Sequence, residues 1–247
     1  MRIPRVYLSV PLSVGGHVVL DREQCHYLAT VLRLKLGRPL IIFNGDGAEY
    51  TAELDTLQRH AGMLRVVEKH TQQRESPLAV TLAQGVSRGE RMSYALQKAV
   101  ELGVAQIQPI ISEHCEVRLD EERTDKRHHH WHGIVVSACE QSGRLRLPAL
   151  ARAQSLQTWL ATLASPTPQT LRLVLDPRGQ DSLGLIAGSP HDLMVLVGPE
   201  GGLSTDEVKH AQTHGFVPVR LGPRTLRTET AAAAALSVVQ LRWGDLG

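Results

Sequence analysis

From residue 78 onward the chain alternates short apolar runs with helical patterns, and this alternation limits its fold more than any other feature. The runs cover 78–83, 107–111, 171–175, 193–197 and 217–221. Ser87 and Glu90 stand at capping-box spacing before a helix carrying Met92, Leu96, Ala99 and Val100, which Gly103 closes. Ser204 and Glu207 repeat that spacing before a helix closed by Gly215. A long helix is expected over about 122–142, ending at Gly143, and a last one over about 229–241. Strands separated by helices pair in parallel. The class is therefore α/β, a mostly parallel sheet with helices on both faces.

The first 70 or so residues read differently. Short runs at 18–20, 39–43, 47–54 and 63–67 predict strands, with one helical piece over about 24–33. Asn44-Gly45-Asp46-Gly47 between two of them is a hairpin signal. Closely spaced short strands predict a small barrel. The polar stretch 70–77 has no periodicity and reads as a linker. Two domains follow, 1–72 and 73–247.

Composition narrows the function. Lys and Arg number 27 against 25 Asp and Glu, so binding driven by a polybasic tail is excluded. Aromatics are 4% of residues, too few for wide stacking surfaces on single strands. Cys25, Cys115 and Cys139 form no CxxC pair, which disfavours disulfides and cysteine zinc sites and fits a reducing compartment. The start lacks the apolar stretch of a signal peptide, and no apolar run reaches the roughly 18 residues of a membrane span. A soluble, cytoplasmic protein without membrane contact is expected. His128, His129, His130 and His132 include the four-residue spacing of shared metal ligation. No third ligand of known type accompanies them, so a solvated helix face and no metal are expected. Cys139 is read as helix packing.

Two glycine-bearing loops follow strands near the end of the chain. One runs Val197-Gly198-Pro199-Glu200-Gly201-Gly202, the other from Leu221-Gly222 through Leu226-Arg227-Thr228-Glu229-Thr230. Neither fits the Walker or GxGxxG phosphate patterns. Each alone could be an ordinary strand–helix connection. Together, at the carboxyl ends of neighbouring strands, they predict a small-molecule pocket approached by bare backbone. A branched side chain at Gly201 would be expected to fill the space left for the ligand.

These loops resemble the signature of the bacterial 16S ribosomal RNA uridine-N3 methyltransferases of the SPOUT superfamily. Further matches run in order along the chain: Arg2-Ile3-Pro4-Arg5-Val6-Tyr7, His26 with Val31-Leu32-Arg33, Ser87-Arg88-Gly89-Glu90-Arg91-Met92, and Ala138-Cys139-Glu140-Gln141-Ser142-Gly143-Arg144. The resemblance implies a PUA-like N-terminal β-barrel that helps hold RNA. It also implies a C-terminal α/β domain with a deep trefoil knot, a homodimer, and S-adenosylmethionine bound in the knot. Periodicity could never have indicated a knot. By motif position the cofactor residues are Leu175, Asp176, Pro177, Val197, Gly198, Pro199, Glu200, Gly201, Gly202, Leu221, Gly222, Leu226, Arg227, Thr228 and Thr230. The implied target is a uridine in the decoding region of 16S rRNA, naked or in the assembled small subunit.

Uracil N3 carries an imide proton between two carbonyls, and only the anion is a good nucleophile. A fixed cation beside those carbonyls would favour the anion, and Arg227 is the first candidate. The alternative for Arg227 is a surface salt bridge. Glu229 would accept the proton or orient Arg227, or else simply stabilise a helix dipole. Arg144 would contact RNA or cap helix carbonyls. Arg2, Arg5, Arg33, Arg88 and Arg91 are candidate phosphate contacts as a group. Two rival readings stay open: a related methyltransferase with another target, and a catalytically silent RNA-binding assembly factor.

Overall fold

Alternation of buried and exposed residues builds the first sheet. The computed structural model describes residues 3–58, 61–116 and 121–247; Arg2 and the side chains at 121–123 lie outside the described residues. The chain divides into one unit of Met1–Glu75 with Cys139–Leu147 and another of Ser76–Ala138 with Pro148–Gly247. The first unit contains β1 (Arg5–Tyr7), β2 (His17–Leu20), α1 (Arg22–His26, continued by a π-helical turn over Tyr27–Val31), β3 (Pro39–Phe43), β4 (Glu49–Leu57) and β5 (Gly62–His70). The strand order is β1-β3-β4-β5-β2, with β1 parallel to β3 and the other pairs antiparallel. Val18, Leu20, Leu40, Ile42, Ala52, Leu54, Leu64 and Val66 point to one buried face, closed by Cys25 and Leu28. Pairing between β4 and β5 slips at Thr51/Ala52 and at Leu54/Thr56. Such bulges increase twist and curl the sheet. β1 and β2 remain as edges, so the result is a half-barrel. The Asn44 signal becomes a five-residue link, in which Asn44 accepts from the Asp46 N–H and Asp46 from the Ala48 N–H.

The second unit is the α/β part. Its elements are β6 (Ala79–Gly85), α2 (Glu90–Glu101), β7 (Gln106–Ile111), α3 (Glu121–Ser142), β8 (Ala149–Leu150), β9 (Gln154–Ser155) and α4 (Leu156–Thr162). There follow β10 (Thr170–Leu175), β11 (Asp181–Ser182), β12 (Asp192–Val197), α5 (Thr205–Thr213), β13 (Phe216–Arg220) and α6 (Thr228–Trp243). The sheet order is β11-β13-β10-β12-β6-β7-β8, with β9 also on β7, and every pairing is parallel. The chain runs outward from β6 to β8 and then resumes on the other side of β6. Crevices outside strand ends at such a reversal are where open parallel sheets hold ligands. On one face Trp159, Leu160, Val208 and Ala211 of α4 and α5 pack with Val174, Leu196 and Phe216. On α6, the small Ala232 and Ala235 are fully buried where that helix meets α2, β6 and β12.

One expected cap is absent. Gly89, at φ +51°, is the N-cap of α2 and no side chain caps it, while the Ser87 hydroxyl donates to the Gly85 carbonyl. The box at Ser204 and Glu207 forms in full. The short β1, β8, β9, β11 and α4 were not anticipated. Among the described residues no helix is long and apolar enough to cross a membrane.

Buried charge ties Cys139–Leu147 into the first unit. Arg5 pairs with Glu49, and Arg74 reaches Glu49 at 3.4 Å. Arg144 pairs with Glu75 at 2.6 Å, and Glu75 also accepts from the N–H groups of Leu145 and Arg146. Arg5 donates to the Arg144 carbonyl at 3.0 Å, and Glu140 accepts the Tyr7 N–H at 2.9 Å.

Candidate functional site

The carboxyl ends of β10, β12 and β13 open into a cleft of ≈ 920 Å³ within the second unit. After β10, Asp176 accepts from the N–H and Nε of its neighbour Arg178, closing the turn. Arg178 also donates to the Thr205 hydroxyl at 3.0 Å, which ties this turn to the start of α5. After β12 the chain turns back within four residues, Gly202 N–H donating to the Pro199 carbonyl at 2.9 Å. Gly202 needs its φ of +72° there. A Cβ on Gly198 would sit 2.9 Å from the Gly202 carbonyl carbon, so this loop is closed by backbone alone. After β13 comes the loop through Gly222 to Arg227, the N-cap residue of α6. The Thr228 hydroxyl donates to the Gly198 carbonyl at 2.6 Å and joins the second loop to the third.

Glu200 braces the glycine loop from outside. It accepts the Arg88 N–H at 2.9 Å and Arg91 Nη1 at 3.0 Å. Burial would push its carboxyl up, but those bonds and the Arg91 charge hold it below the ordinary carboxylate value. Its Oε1 is therefore engaged by protein rather than by a ligand.

Every residue expected in the cofactor loops lines this cleft except Thr230. Thr230 lines an adjoining cleft of ≈ 1000 Å³ walled by Arg91, Tyr94 and Gln97 of α2, by His129 and His130 of α3, and by Arg227 and Glu229. Arg91, Arg227 and Glu229 line both clefts. Arg227 makes no ion pair among the described residues, whereas Glu229 Oε2 is buried with no hydrogen-bond partner among them. Sequence reasoning missed Arg178 and His114, which also line the first cleft. His114 arrives from the loop after β7 and carries no local signal. The expectation for Gly201 needs correction: a Cβ there would meet the Cβ of His114 at 2.7 Å, so a side chain would press on the neighbouring loop.

The candidate RNA contacts scatter. The Arg5 and Arg144 side chains are only 10% and 8% exposed and face Glu49 and Glu75. Arg33 is exposed, at φ +49° just past the helical turn. Arg88 is exposed and pairs with Glu116 at 3.0 Å. Arg91 reaches Glu200. Cys139 is buried, and burial pushes its thiol up to about 12, which leaves it no thiolate at neutral pH. Among the described residues no group of three or more His, Cys, Asp or Glu is arranged to hold a metal ion.

Comparison with known proteins agrees with this anatomy. The RNA methyltransferase domain family matches residues 74–240, and the RNA methyltransferase PUA domain matches 20–61. Ribosomal RNA small subunit methyltransferase E of Buchnera aphidicola is 34% identical over 99% of this chain and 98% of its own. The crystal structure of a ribosomal RNA small subunit methyltransferase E from Neisseria gonorrhoeae bound to S-adenosyl methionine superposes with a TM-score of 0.90 at 39% identity, covering 100% of both chains. A Legionella pneumophila protein solved in complex with the bound cofactor SAM gives 0.94 at 39% identity, again over 100% of both. With its second unit matched by the methyltransferase domain and its whole length by these relatives, the chain belongs to the RNA methyltransferase family that includes ribosomal RNA small subunit methyltransferase E.

Proposed function

We propose that this chain transfers a methyl group from S-adenosylmethionine to N3 of a uridine in the decoding region of 16S rRNA. The observation that carries this reading is the cleft itself. Three loops at parallel-strand ends wall it, with Gly198, Gly201, Gly202 and Gly222 among the lining residues, in a chain that matches a relative bound to S-adenosyl methionine end to end. The residues present fit the cofactor. A cleft of ≈ 920 Å³ is within the size range of small-molecule sites. Open space lies where a Cβ would stand on Gly202 and Gly222, so backbone there can approach a ligand. Leu175 to Pro177, Val197 to Gly202, Leu221 with Gly222, and Leu226 to Thr228 would hold it. When bound, it supplies a methyl group already activated by the sulfonium, so no metal is needed.

The chain's own residues must hold the uracil and manage its imide proton. The second cleft meets the first at Arg227 and Glu229, and we assign it to the acceptor base. Arg227 offers its guanidinium to the uracil carbonyls and favours the N3 anion. The buried, unpartnered Oε2 of Glu229 accepts the N3 proton. Arg2, Arg33, and the exposed Arg88 and Arg91, whose own ion pairs leave them open to solvent, hold RNA phosphates; Arg5 and Arg144, nearly buried against Glu49 and Glu75, brace the first unit instead. The reading extends to a knotted backbone in the second unit and to a cytoplasmic homodimer. Tyr94 and Leu241, exposed on the packed pair α2 and α6, offer apolar surface to a second copy.

Mass mapping of 16S rRNA from a strain lacking the gene tests the assignment. Loss of one N3-methyluridine, restored by the purified chain with S-adenosylmethionine, is expected. An unchanged N3-methyluridine signal removes the target, and a chain without cofactor affinity would be an assembly factor.

A further inference from the structure

Beneath the three loops, the end of β6 supplies a residue that no loop motif contains. Gln84 lies opposite Val197 in the pairing of β6 with β12, and it is fully buried. Its amide nitrogen donates to the Thr228 hydroxyl at 2.9 Å and to the Gly85 carbonyl at 3.1 Å. The Thr228 hydroxyl donates in turn to the Gly198 carbonyl at 2.6 Å. Turning the amide over would set its oxygen against the Gly85 carbonyl oxygen, so only this orientation is consistent. A hydroxyl has one hydrogen. With Gln84 donating to its oxygen, Thr228 is left to aim that hydrogen at Gly198.

The other end of the same amide is informative. Gln84 Oε1 is buried with no hydrogen-bond partner among the described residues. A buried acceptor left unmade lowers stability, and methionine would fill the space without that cost. Broken local rules of this kind mark functional sites. Gly198 has no side chain with which to fix its own peptide, and a Cβ there would strike the Gly202–Leu203 backbone.

We propose that Gln84 is a positioning residue for methyl transfer. Acting through Thr228, it fixes the Gly198 carbonyl, and so sets the glycine loop against the start of α6, which carries Arg227 and Glu229. Small misplacements of reacting groups cost large factors in rate. The inference rests on reading the cleft as the S-adenosylmethionine site.

The test uses Gln84→Met, Thr228→Val, Thr228→Ser and the Met/Val double variant of the full chain. Calorimetry gives S-adenosylmethionine affinity, steady-state kinetics on small subunits give kcat and KM, and melting gives Tm. Gln84→Met is expected to keep or raise Tm while weakening cofactor binding about tenfold and lowering kcat, the scale of one lost hydrogen bond. The KM for the subunit should not move. Thr228→Val should match it, Thr228→Ser should recover most of the loss, and the double should be no worse than either single change. Wild-type affinity and kcat in Gln84→Met, additive losses in the double, or a Thr228→Ser as impaired as Thr228→Val would each overturn the inference. If Gln84→Met does not fold, Gln84→Leu, which likewise removes the donor to Thr228, decides by the same readouts. A wild-type chain that binds no S-adenosylmethionine overturns the reading of the cleft and this inference with it; a binding wild type with equally binding variants overturns the inference alone.

Discussion

Arg227 occupies the N-cap of α6, where the helix presents partial positive charge. A guanidinium there gains nothing from the dipole, and it has no ion pair among the described residues. Helix stability therefore does not account for it, whereas Glu229 in the first turn has the favourable sign. Arg227→Ala should lower kcat by about a hundredfold or more, the scale of one lost oxyanion contact, with Tm unchanged. Turnover and melting on one preparation check this; a large fall in Tm would make Arg227 structural. Gly201 behaves differently from its neighbour Gly202. Gly201→Ala should weaken cofactor binding by pushing the loop off His114, and His114→Gly in the same chain should restore part of the affinity, because the opposing Cβ is gone while the residue-114 carbonyl oxygen, 3.1 Å from the new Cβ, remains. Calorimetry on both chains decides, and a double variant as weak as the single one refutes the account. That glycines bring backbone to the cleft was legible in the sequence. Which glycine faces the cleft was not, since His114 is distant in sequence.

At the scale of elements, two identical Ser-x-x-Glu patterns ended in different structures. Ser204 accepts the Glu207 N–H and Glu207 accepts the Ser204 N–H, while Glu207 also accepts the Glu113 N–H at 2.8 Å. The Ser87 pattern contains Gly89, whose positive φ makes it the cap and leaves Ser87 outside the helix. Ser204→Ala should cost about 1 kcal/mol in urea unfolding. Ser87→Ala should leave the helicity of α2 unchanged by circular dichroism and amide exchange; fraying of its first turn would mean that Ser87 caps it after all. The five long strands of the second sheet were legible because parallel strands buried on both faces are nearly continuous apolar runs. β1 and β11 were not. Three residues containing an arginine and a tyrosine, or two residues Asp181 and Ser182, carry no period.

At the scale of the whole chain, Cys139–Leu147 returns to the first unit from the end of a helix that begins in the second. No local pattern announces this, because the ties join Tyr7 to Glu140 and Glu75 to Arg144 across 133 and 69 residues. Arg144→Ala would leave Glu75 without its cation and should destabilise the first unit by about 3 kcal/mol or more. Glu140 sets a pH dependence in the same place. Burial pushes its carboxyl above the ordinary 4.5, and the bonds from Tyr7 N–H and Tyr27 and the nearby Arg5 charge only partly offset this. Between 4.5 and that raised value the folded unit holds a proton that the unfolded chain releases. The stability from this proton is thus complete below 4.5 and is lost as pH rises through the raised value. Glu140→Gln keeps an acceptor for Tyr7 N–H and carries no charge, so it should flatten this decline and leave the unit more stable at neutral pH. Trp131, Trp159 and Trp243 all lie in the second unit, so tryptophan fluorescence is blind to the change. Amide exchange in β3 and β4, followed from acid to neutral pH in both chains, is the measurement. Glu200, held low in the second unit, has the opposite sign, its contribution fading as pH falls. Exchange should therefore show the two units weakening toward opposite ends of the mildly acid range. Parallel profiles for wild type and Glu140→Gln would mean that Glu140 is already ionised in the fold and that its partners, not burial, set its charge.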